Sequence, residues 1–435
     1  MSVTVGIRRE DKNKWEARVP LLPEDLAEIQ RSHDLRFLVQ PSPIRAYKDD
    51  EFRRAGIEIA ENLEPASLIL AVKEIPAELL RPNKAYLYFA HVIKGQPYNM
   101  PMLRRLLELG CSLVDYERII DDRNRRLVFF GVHAGYAGMI ETLWCLSRRL
   151  EARGLPNPLA GVKQAYEYDG LDAAKSHLRE IGERIGRDGL DPALRPLVFG
   201  LSGYGNVSRG AQEILDCLPV AEIEPSALPA AAARGGDAPG QLLKVVFKEE
   251  DMAQPSRAGA RFELQDYYDH PERYQGIFDR HLPHLDVLVN TIYWDERYPR
   301  LVTREWARQQ GDKARLQVIG DISCDVEGSI ELTLKVTEPD APCFTYDAAS
   351  DDVKMGCAGP GPAVMAVDNL PCELPREASQ HFSSALRDMV PALAGCDWSA
   401  PFERLDLPSE LKRAVIVHQG ELTPDYRHLK DYLND

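Results

Sequence analysis

The run Leu197-Val198-Phe199-Gly200-Leu201-Ser202 breaks into Gly203-Tyr204-Gly205-Asn206-Val207-Ser208 and then into Arg209-Gly210-Ala211-Gln212-Glu213-Ile214-Leu215. No other stretch constrains the fold of this chain as much. A short apolar run with Val and Phe reads as a buried strand, and the segment after the glycines has the apolar spacing of a helix. Strand, glycine turn and helix in that order set backbone N–H groups at a helix N-terminus, where a dinucleotide's pyrophosphate binds. Gly203 makes the tight turn, Gly205 lets backbone approach the phosphates, and Ser208 stands where a third glycine is usual. Taken alone, the same pattern also suits a glycine-rich surface turn. The next strand-like run, Val220-Ala221-Glu222-Ile223-Glu224, puts carboxylates about 20 residues beyond the first glycine, where one can accept from a ribose hydroxyl.

Upstream, apolar runs alternate with helical patterns. Val3–Ile7 and Leu35–Val39 read as strands, with a helix opening at Pro23 between them. Leu68–Val72 is apolar throughout, as in a parallel strand buried on both faces, and ends at Lys73-Glu74. Tyr86–Ala90 ends at His91, and Cys111–Tyr116 ends at Glu117. This alternation predicts an α/β fold, whose ligands bind outside the carboxyl ends of the strands. Strand ends near solvent also carry charge for solubility, but three in a row here carry ionisable groups of complementary type. Downstream, Leu285–Asn290 and Leu316–Asp321 are further strands with polar ends, and Ala363–Val367 leads to Asp368. The small residues of Gly135-Tyr136-Ala137-Gly138 open a long helix suited to close packing. Residues 225–261, rich in Ala, Gly and Pro, read as a surface insertion, and the chain from Pro375 onward reads as amphipathic helix.

The net charge of −15 leaves no basic excess to neutralise phosphates, which argues against nucleic-acid and anionic-membrane partners. No apolar run approaches the roughly 20 residues of a membrane span. Charges within the first ten residues speak against a signal peptide, so a cytoplasmic protein is expected. The eight cysteines are scattered without a C-x-x-C pair, so spacing predicts no metal site and reduced thiols.

With those residues in place, the chain resembles the lysine-ketoglutarate reductase half of the bifunctional aminoadipic semialdehyde synthases. It is similar also to the lysine-forming saccharopine dehydrogenases and, more distantly, to alanine dehydrogenase and the nicotinamide nucleotide transhydrogenases. The blocks that carry the resemblance are Arg8-Arg9-Glu10-Asp11 with Trp15-Glu16-Ala17-Arg18, Ala71-Val72-Lys73-Glu74, Phe89-Ala90-His91, the glycine loop, Asp321-Ile322-Ser323 with Gly328-Ser329-Ile330-Glu331, and Asp368-Asn369-Leu370-Pro371. The resemblance implies two Rossmann-like α/β domains with parallel sheets and an interdomain cleft. Residues 1–133 with 373–435 would form the substrate-side domain, and residues 134–372 the dinucleotide-binding domain. The implied reaction joins lysine, 2-oxoglutarate and a reduced nicotinamide to give saccharopine, reversibly. An ammonia-using amino-acid dehydrogenase and a non-catalytic dinucleotide sensor are the alternatives.

The resemblance makes Lys73 and His91 the acid–base pair, flanked by Glu74 and Glu117. In isolation such a pair equally describes a satisfied buried histidine and an ion-paired lysine. Arg18 matches a clamp for a substrate carboxylate, and Arg126 holds a second, with Arg125 competing. Gly203, Tyr204, Gly205, Asn206, Val207 and Glu224 fall on the cofactor, as do Asp368 and, more weakly, Asp321; both aspartates also suit helix caps. Electrostatics at Glu222 and Glu224 leans to NAD, the resemblance leans to NADP, and the choice stays open. The chain ends before any saccharopine-cleaving domain, so it would act alone or with a separate enzyme.

Overall fold

Apolar runs closed off by charge become the strands of two eight-stranded sheets, one in each of two units. The computed structural model describes residues 2–234, 239–311 and 314–433. One unit comprises Met1–Phe130 with Pro375–Asp435, the other Gly131–Leu374.

In the first unit, β1 (Val3–Ile7), β2 (Leu35–Val39), β3 (Glu58–Ile59), β4 (Leu68–Leu70), β5 (Ala85–Tyr88) and β6 (Ser112–Asp115) run parallel in the order β6-β5-β4-β1-β2-β3. Each of β4, β5 and β6 is buried along its whole length, as in a doubly covered sheet, although β6 carries Ser112 and Asp115 at its ends. Strand β4 stops two residues short of its apolar run. The N–H groups of Val72 and Lys73 leave the ladder to donate to the Glu10 carboxylate instead. The segment after Pro375 is not all helix. It carries helices at Pro375–Leu386, Val390–Gly395 and Ser409–Arg413, but the β-branched run Val415–His418 adds an antiparallel strand beside β6. We number this strand β17, and Glu421–Leu422 closes the edge as β18. Amphipathic spacing gives way there to four consecutive buried residues.

The second unit holds β7 (Val198–Ser202), β8 (Val220–Glu222), β9 (Leu242–Phe247), the small hairpin β10 (Ala253–Pro255) and β11 (Tyr274–Gly276), β12 (Val287–Asn290), β13 (Val318–Asp321), β14 (Cys343–Asp347), β15 (Asp352–Met355) and β16 (Ala363–Met365). The sheet order is β15-β14-β16-β13-β12-β7-β9-β8, and only β14 runs against the rest, antiparallel to both β15 and β16. Residues 225–261 are therefore not a surface insertion. They contain β9, a central strand paired with β7 on one side and β8 on the other. Its run Leu242-Leu243-Lys244-Val245-Val246-Phe247 is the apolar signal that the neighbouring Ala, Gly and Pro content obscured; residues 235–238 lie outside the described residues. Alternation splits the core in two. Phe199, Leu201, Val287 and Val289 pack on one face, and Val198, Leu288, Ile319 and Val364 on the other. On the first face, helix Gly131–Ala152 meets helix Asn206–Leu215 at backbone contact. A Cβ on Gly135 would stand 2.0 Å from the Val207 carbonyl, and one on Gly210 2.2 Å from that of Val132.

Candidate functional site

In the first unit, the carboxyl ends of neighbouring strands β4, β5 and β6 bring together the residues that follow them. Glu74 lies between His91 and Lys12: its Oε2 is 3.4 Å from His91 Nδ1, and its Oε1 accepts from Lys12 Nζ at 2.6 Å. Burial alone would raise the Glu74 carboxyl, but its bonds to His91 and Lys12 outweigh burial and hold it at about 2. Lys73, the preceding residue, is pushed below the ordinary lysine range by burial first, then by the charges of Arg18 and Lys12. His91 sits at φ 47°, a left-handed conformation that costs a non-glycine residue about 1–3 kcal/mol unless its surroundings fix it. They do: buried Asn99 donates to the carbonyls of Ala90 (2.9 Å) and His91 (3.2 Å), and Phe89 stacks on the imidazole with centroids 6.0 Å apart.

Glu10, absent from the residues predicted to act, supports this arrangement. Its two oxygens accept from the N–H groups of Val72 (2.7 Å) and Lys73 (3.0 Å), fixing the lysine's backbone. Burial, with Glu16 nearby, raises its carboxyl to about 7. On β6, buried Asp115 caps the N–H of Glu117 at 2.9 Å; burial and the Glu117 charge raise Asp115 to about 7. The Glu117 carboxylate pairs with Arg126. Arg125 turns to Asp121, at 2.7 Å, within its own turn, so of the two arginines Arg126 is the one on the strand-end group.

Arg18 departs from the expected clamp. Its guanidinium is buried, grips Glu16 through Nε (2.7 Å) and Nη2 (2.5 Å), and lies over the Phe130 ring at 4.3 Å. The edge predicted to take a substrate carboxylate holds a carboxylate of its own chain. The reason is local: Glu16 lies two residues away and is itself fully buried, so it needs a fixed cation.

In the second unit, β7 ends at Gly203, whose φ of 90° turns the chain and whose missing Cβ avoids Ile292 at 3.0 Å. Gly205 N-caps helix Asn206–Leu215, and a Cβ there would meet no protein atom within 4 Å. Internal packing therefore does not require glycine at 205. Open space over a helix N-terminus is what a close-lying pyrophosphate uses. Asn206 opens the helix, its side chain paired with Arg209, and Val207 is partly buried beneath it.

A cavity of about 460 Å³ adjoins this turn, lined by Gly203, Tyr204, Gly205, Glu249, Thr291 and Tyr268 among others. It lies where the connections from β7 and β12 leave in opposite directions, the switch point at which doubly wound sheets bind ligands. The strand beside β7 is β9, not β8. The carboxylate at the end of that adjacent strand is Glu249, two residues beyond β9, whereas Glu224 follows the edge strand β8. Glu249 accepts from Tyr268 Oη at 2.6 Å within the same cavity wall. Glu222 is paired instead with Lys244 of β9 at 3.1 Å. A 20-residue count from the first glycine ends at the edge strand because the chain passes over the β9 position before returning to fill it.

Asp321 is likewise enclosed. It accepts from Asn290 (2.8 Å), Ser323 (2.7 Å) and Thr333 (2.6 Å), and burial raises its carboxyl. It ties the ends of β12 and β13 together and presents no surface to a cofactor. Asp368 follows β16 with an exposed side chain. The residues around the glycine turn fit a dinucleotide: an open helix N-terminus, an aromatic-walled cavity and a carboxylate at the adjacent strand end.

Residues 6–137 match the N-terminal domain of the alanine dehydrogenase/PNT family, and residues 249–425 match its C-terminal domain. An alpha-aminoadipic semialdehyde synthase of Arabidopsis thaliana is 37% identical over 98% of the chain and 41% of its own length. The chain thus spans less than half of that relative. A saccharopine dehydrogenase [NAD(+), L-lysine-forming] of Neurospora crassa is 27% identical over 92% of the chain and 93% of its own. The solved structure of an L-alanine dehydrogenase superposes with a TM-score of 0.63 over 99% of this chain and all of that one, at 16% identity, a likeness of fold. No helix among the described residues is long and apolar enough to cross a membrane.

Proposed function

This chain belongs to the alanine dehydrogenase/PNT family, and from that premise we propose that it is a nicotinamide-dependent oxidoreductase that reductively condenses lysine with 2-oxoglutarate to saccharopine. The observation that carries the reading is the grouping of Lys73, His91 and Glu74 at the ends of β4 and β5. The relatives named for saccharopine and aminoadipic semialdehyde chemistry support the substrate class.

Condensing an ε-amine with a ketone requires a base for the amine proton and an acid for the departing hydroxide. Lys73 is lowered by burial and neighbouring cations, which brings an amine toward the range where it exchanges protons at neutral pH. Glu74, ionised at about 2, faces Nδ1 of His91. In the proposed reaction the proton moves through Nε2, the ring nitrogen that does not face this carboxylate. Arg126 is the proposed carboxylate clamp: it too has a carboxylate partner, Glu117, but unlike buried Arg18 its side chain is exposed and open to a substrate. Arg18 serves the site through its charge on Lys73 and its hold on Glu16. A bound nicotinamide supplies hydride to the imine carbon. In the second unit, Gly203, Tyr204, Gly205, Asn206 and Val207 form its proposed cradle, with Glu249 on the ribose. A carboxylate at that strand end repels a 2′-phosphate, so we read the cofactor as NAD.

The test measures nicotinamide oxidation with 2-oxoglutarate plus lysine against pyruvate plus ammonia. Lysine-dependent oxidation is expected, cut at least about 100-fold in Lys73→Met and in His91→Ala. Turnover with ammonia alone, or unchanged rates in both variants, would reject the assignment.

A further inference from the structure

Three cysteines that look unrelated in the sequence converge in the second unit, away from the glycine turn. Cys145 comes from helix Gly131–Ala152, Cys343 opens β14, and Cys357 follows β15. All three are buried, and their sulfurs lie within 4.8 Å of one another. Cys357 Sγ is 2.9 Å from Cys343 Sγ and 3.6 Å from Cys145 Sγ. None belongs to the proposed reaction, and none of the other five cysteines joins such a group among the described residues. We propose that Cys145, Cys343 and Cys357 form a trithiolate site for a thiophilic metal ion of the zinc class.

Three features support a site over a chance contact. The sulfurs arrive on three separate segments, whereas a disulfide would need only two and leave the third unexplained. The loop that carries Cys357 is clamped: the guanidinium of Arg149, one turn along the helix from Cys145, donates to the carbonyls of Cys357 (2.9 Å), Gly359 (2.6 Å) and Gly361 (2.5 Å). Such a brace beyond the ligands is what fixes ligand geometry in metal sites. A cavity of about 360 Å³, lined by Trp144, Arg148, Asp340, Cys343 and Cys357, reaches two of the three cysteines and gives an ion and a small fourth ligand a way in.

The ligand chemistry narrows the ion. Thiolates select Zn²⁺ and Cu⁺ over Mg²⁺ and Ca²⁺. Zn–S bonds of about 2.3 Å place tetrahedral sulfurs about 3.8 Å apart. The Cys145–Cys357 pair is already close to that spacing, and Cys343 has to withdraw by about 0.9 Å from Cys357 to reach it. Three thiolates on a divalent ion leave one negative charge, next to the cations of Arg148 and Arg149. Each thiol gives up its proton to solvent as the ion enters, and no electron changes hands.

The experiment reconstitutes the reduced, intact chain with Zn²⁺ and measures bound metal after dialysis, with X-ray absorption on the wild-type protein. One Zn²⁺ per chain with three sulfur ligands at about 2.3 Å is expected. Cys145→Ser, Cys343→Ser and Cys357→Ser should each weaken binding by more than the 10–100-fold typical of losing an outer partner, while Cys217→Ser leaves it unchanged. Absence of retained zinc, fewer than three sulfurs around it, or equal retention in the three variants would overturn the proposal. So would a Cys343–Cys357 disulfide in aerated protein that takes up no zinc after reduction. The absorption measurement on wild type decides the matter if a variant fails to fold.

Discussion

Replacing Glu10 by glutamine separates what this residue's shape contributes from what its charge costs. Its carboxyl moves from 4.5 to about 7 on folding, chiefly through burial. At about 1.36 kcal/mol per unit, that is roughly 3 kcal/mol. The sign follows from proton counts. Between pH 4.5 and 7 the unfolded chain releases the proton while the folded chain keeps it, so the unfolded state binds fewer protons and stability falls as pH rises. Above about pH 7 the loss is complete. Glutamine never ionises, so this loss disappears. In exchange, its NH₂ faces one of the two N–H donors of Val72 and Lys73, costing about 1–3 kcal/mol at every pH. Glu10→Gln should therefore be less stable than wild type at pH 5 and recover by about 2–3 kcal/mol relative to it by pH 8. For a unit of this size, that corresponds to a relative gain of roughly 5–10 °C in Tm. Paired thermal melts at pH 5, 6, 7 and 8 measure it. A constant difference between the two proteins across that range would refute a raised Glu10 carboxyl and the enclosed environment behind it.

Glu249→Ser should raise kcat/KM with the phosphorylated nicotinamide, relative to the unphosphorylated one, by at least about 10-fold, because a like charge at the ribose is removed. Glu224→Ser should leave that ratio alone, and the opposite pattern would return the ribose to β8. Gly205→Ala, entering open space, should keep the wild-type Tm yet raise the KM for nicotinamide. Gly203→Ala should lose about 1–3 kcal/mol of stability through its φ of 90° and the contact with Ile292; equal melting of the two variants would contradict this division. Arg18→Ala strands a buried Glu16 and should cost about 3–5 kcal/mol. A variant that melts like wild type, with only a higher KM for the carboxylate substrates, would restore Arg18 as a substrate clamp.

The acidic and basic groups at the ends of β4, β5 and β6 were legible because parallel strands expose their C-terminal residues on one rim. An apolar run followed by a charge therefore already states where that charge lies. Contacts closing over long separations were not legible. Glu10 reaches Val72 across 62 residues, and nothing in Arg8-Arg9-Glu10-Asp11 distinguishes a buried acceptor from a solvated acid. Cys145 and Cys357 lie 212 residues apart, so the absence of a short spacing said nothing about convergence. The pairing of Arg18 with Glu16 was illegible for the opposite reason: the two residues lie so near in sequence that neither marks the other as a buried partner.

The change from Glu224 to Glu249 separates motif from topology. A count from the first glycine assumes that the strand after the glycine helix pairs with the strand before it. Here that helix leads to the edge position β8, and a second crossover returns β9 to the vacant place beside β7. Lys244 marks the exchange: it stands on β9 with its side chain buried, held by Asp216 at 2.8 Å and Glu222 at 3.1 Å. A buried lysine needs such partners, so Glu222 is occupied in securing β9. The carboxylate left facing the cavity is the one that β9 itself carries past its carboxyl end. Cofactor preference should therefore follow residue 249, and the acids of β8 should register in stability rather than in the choice of nicotinamide.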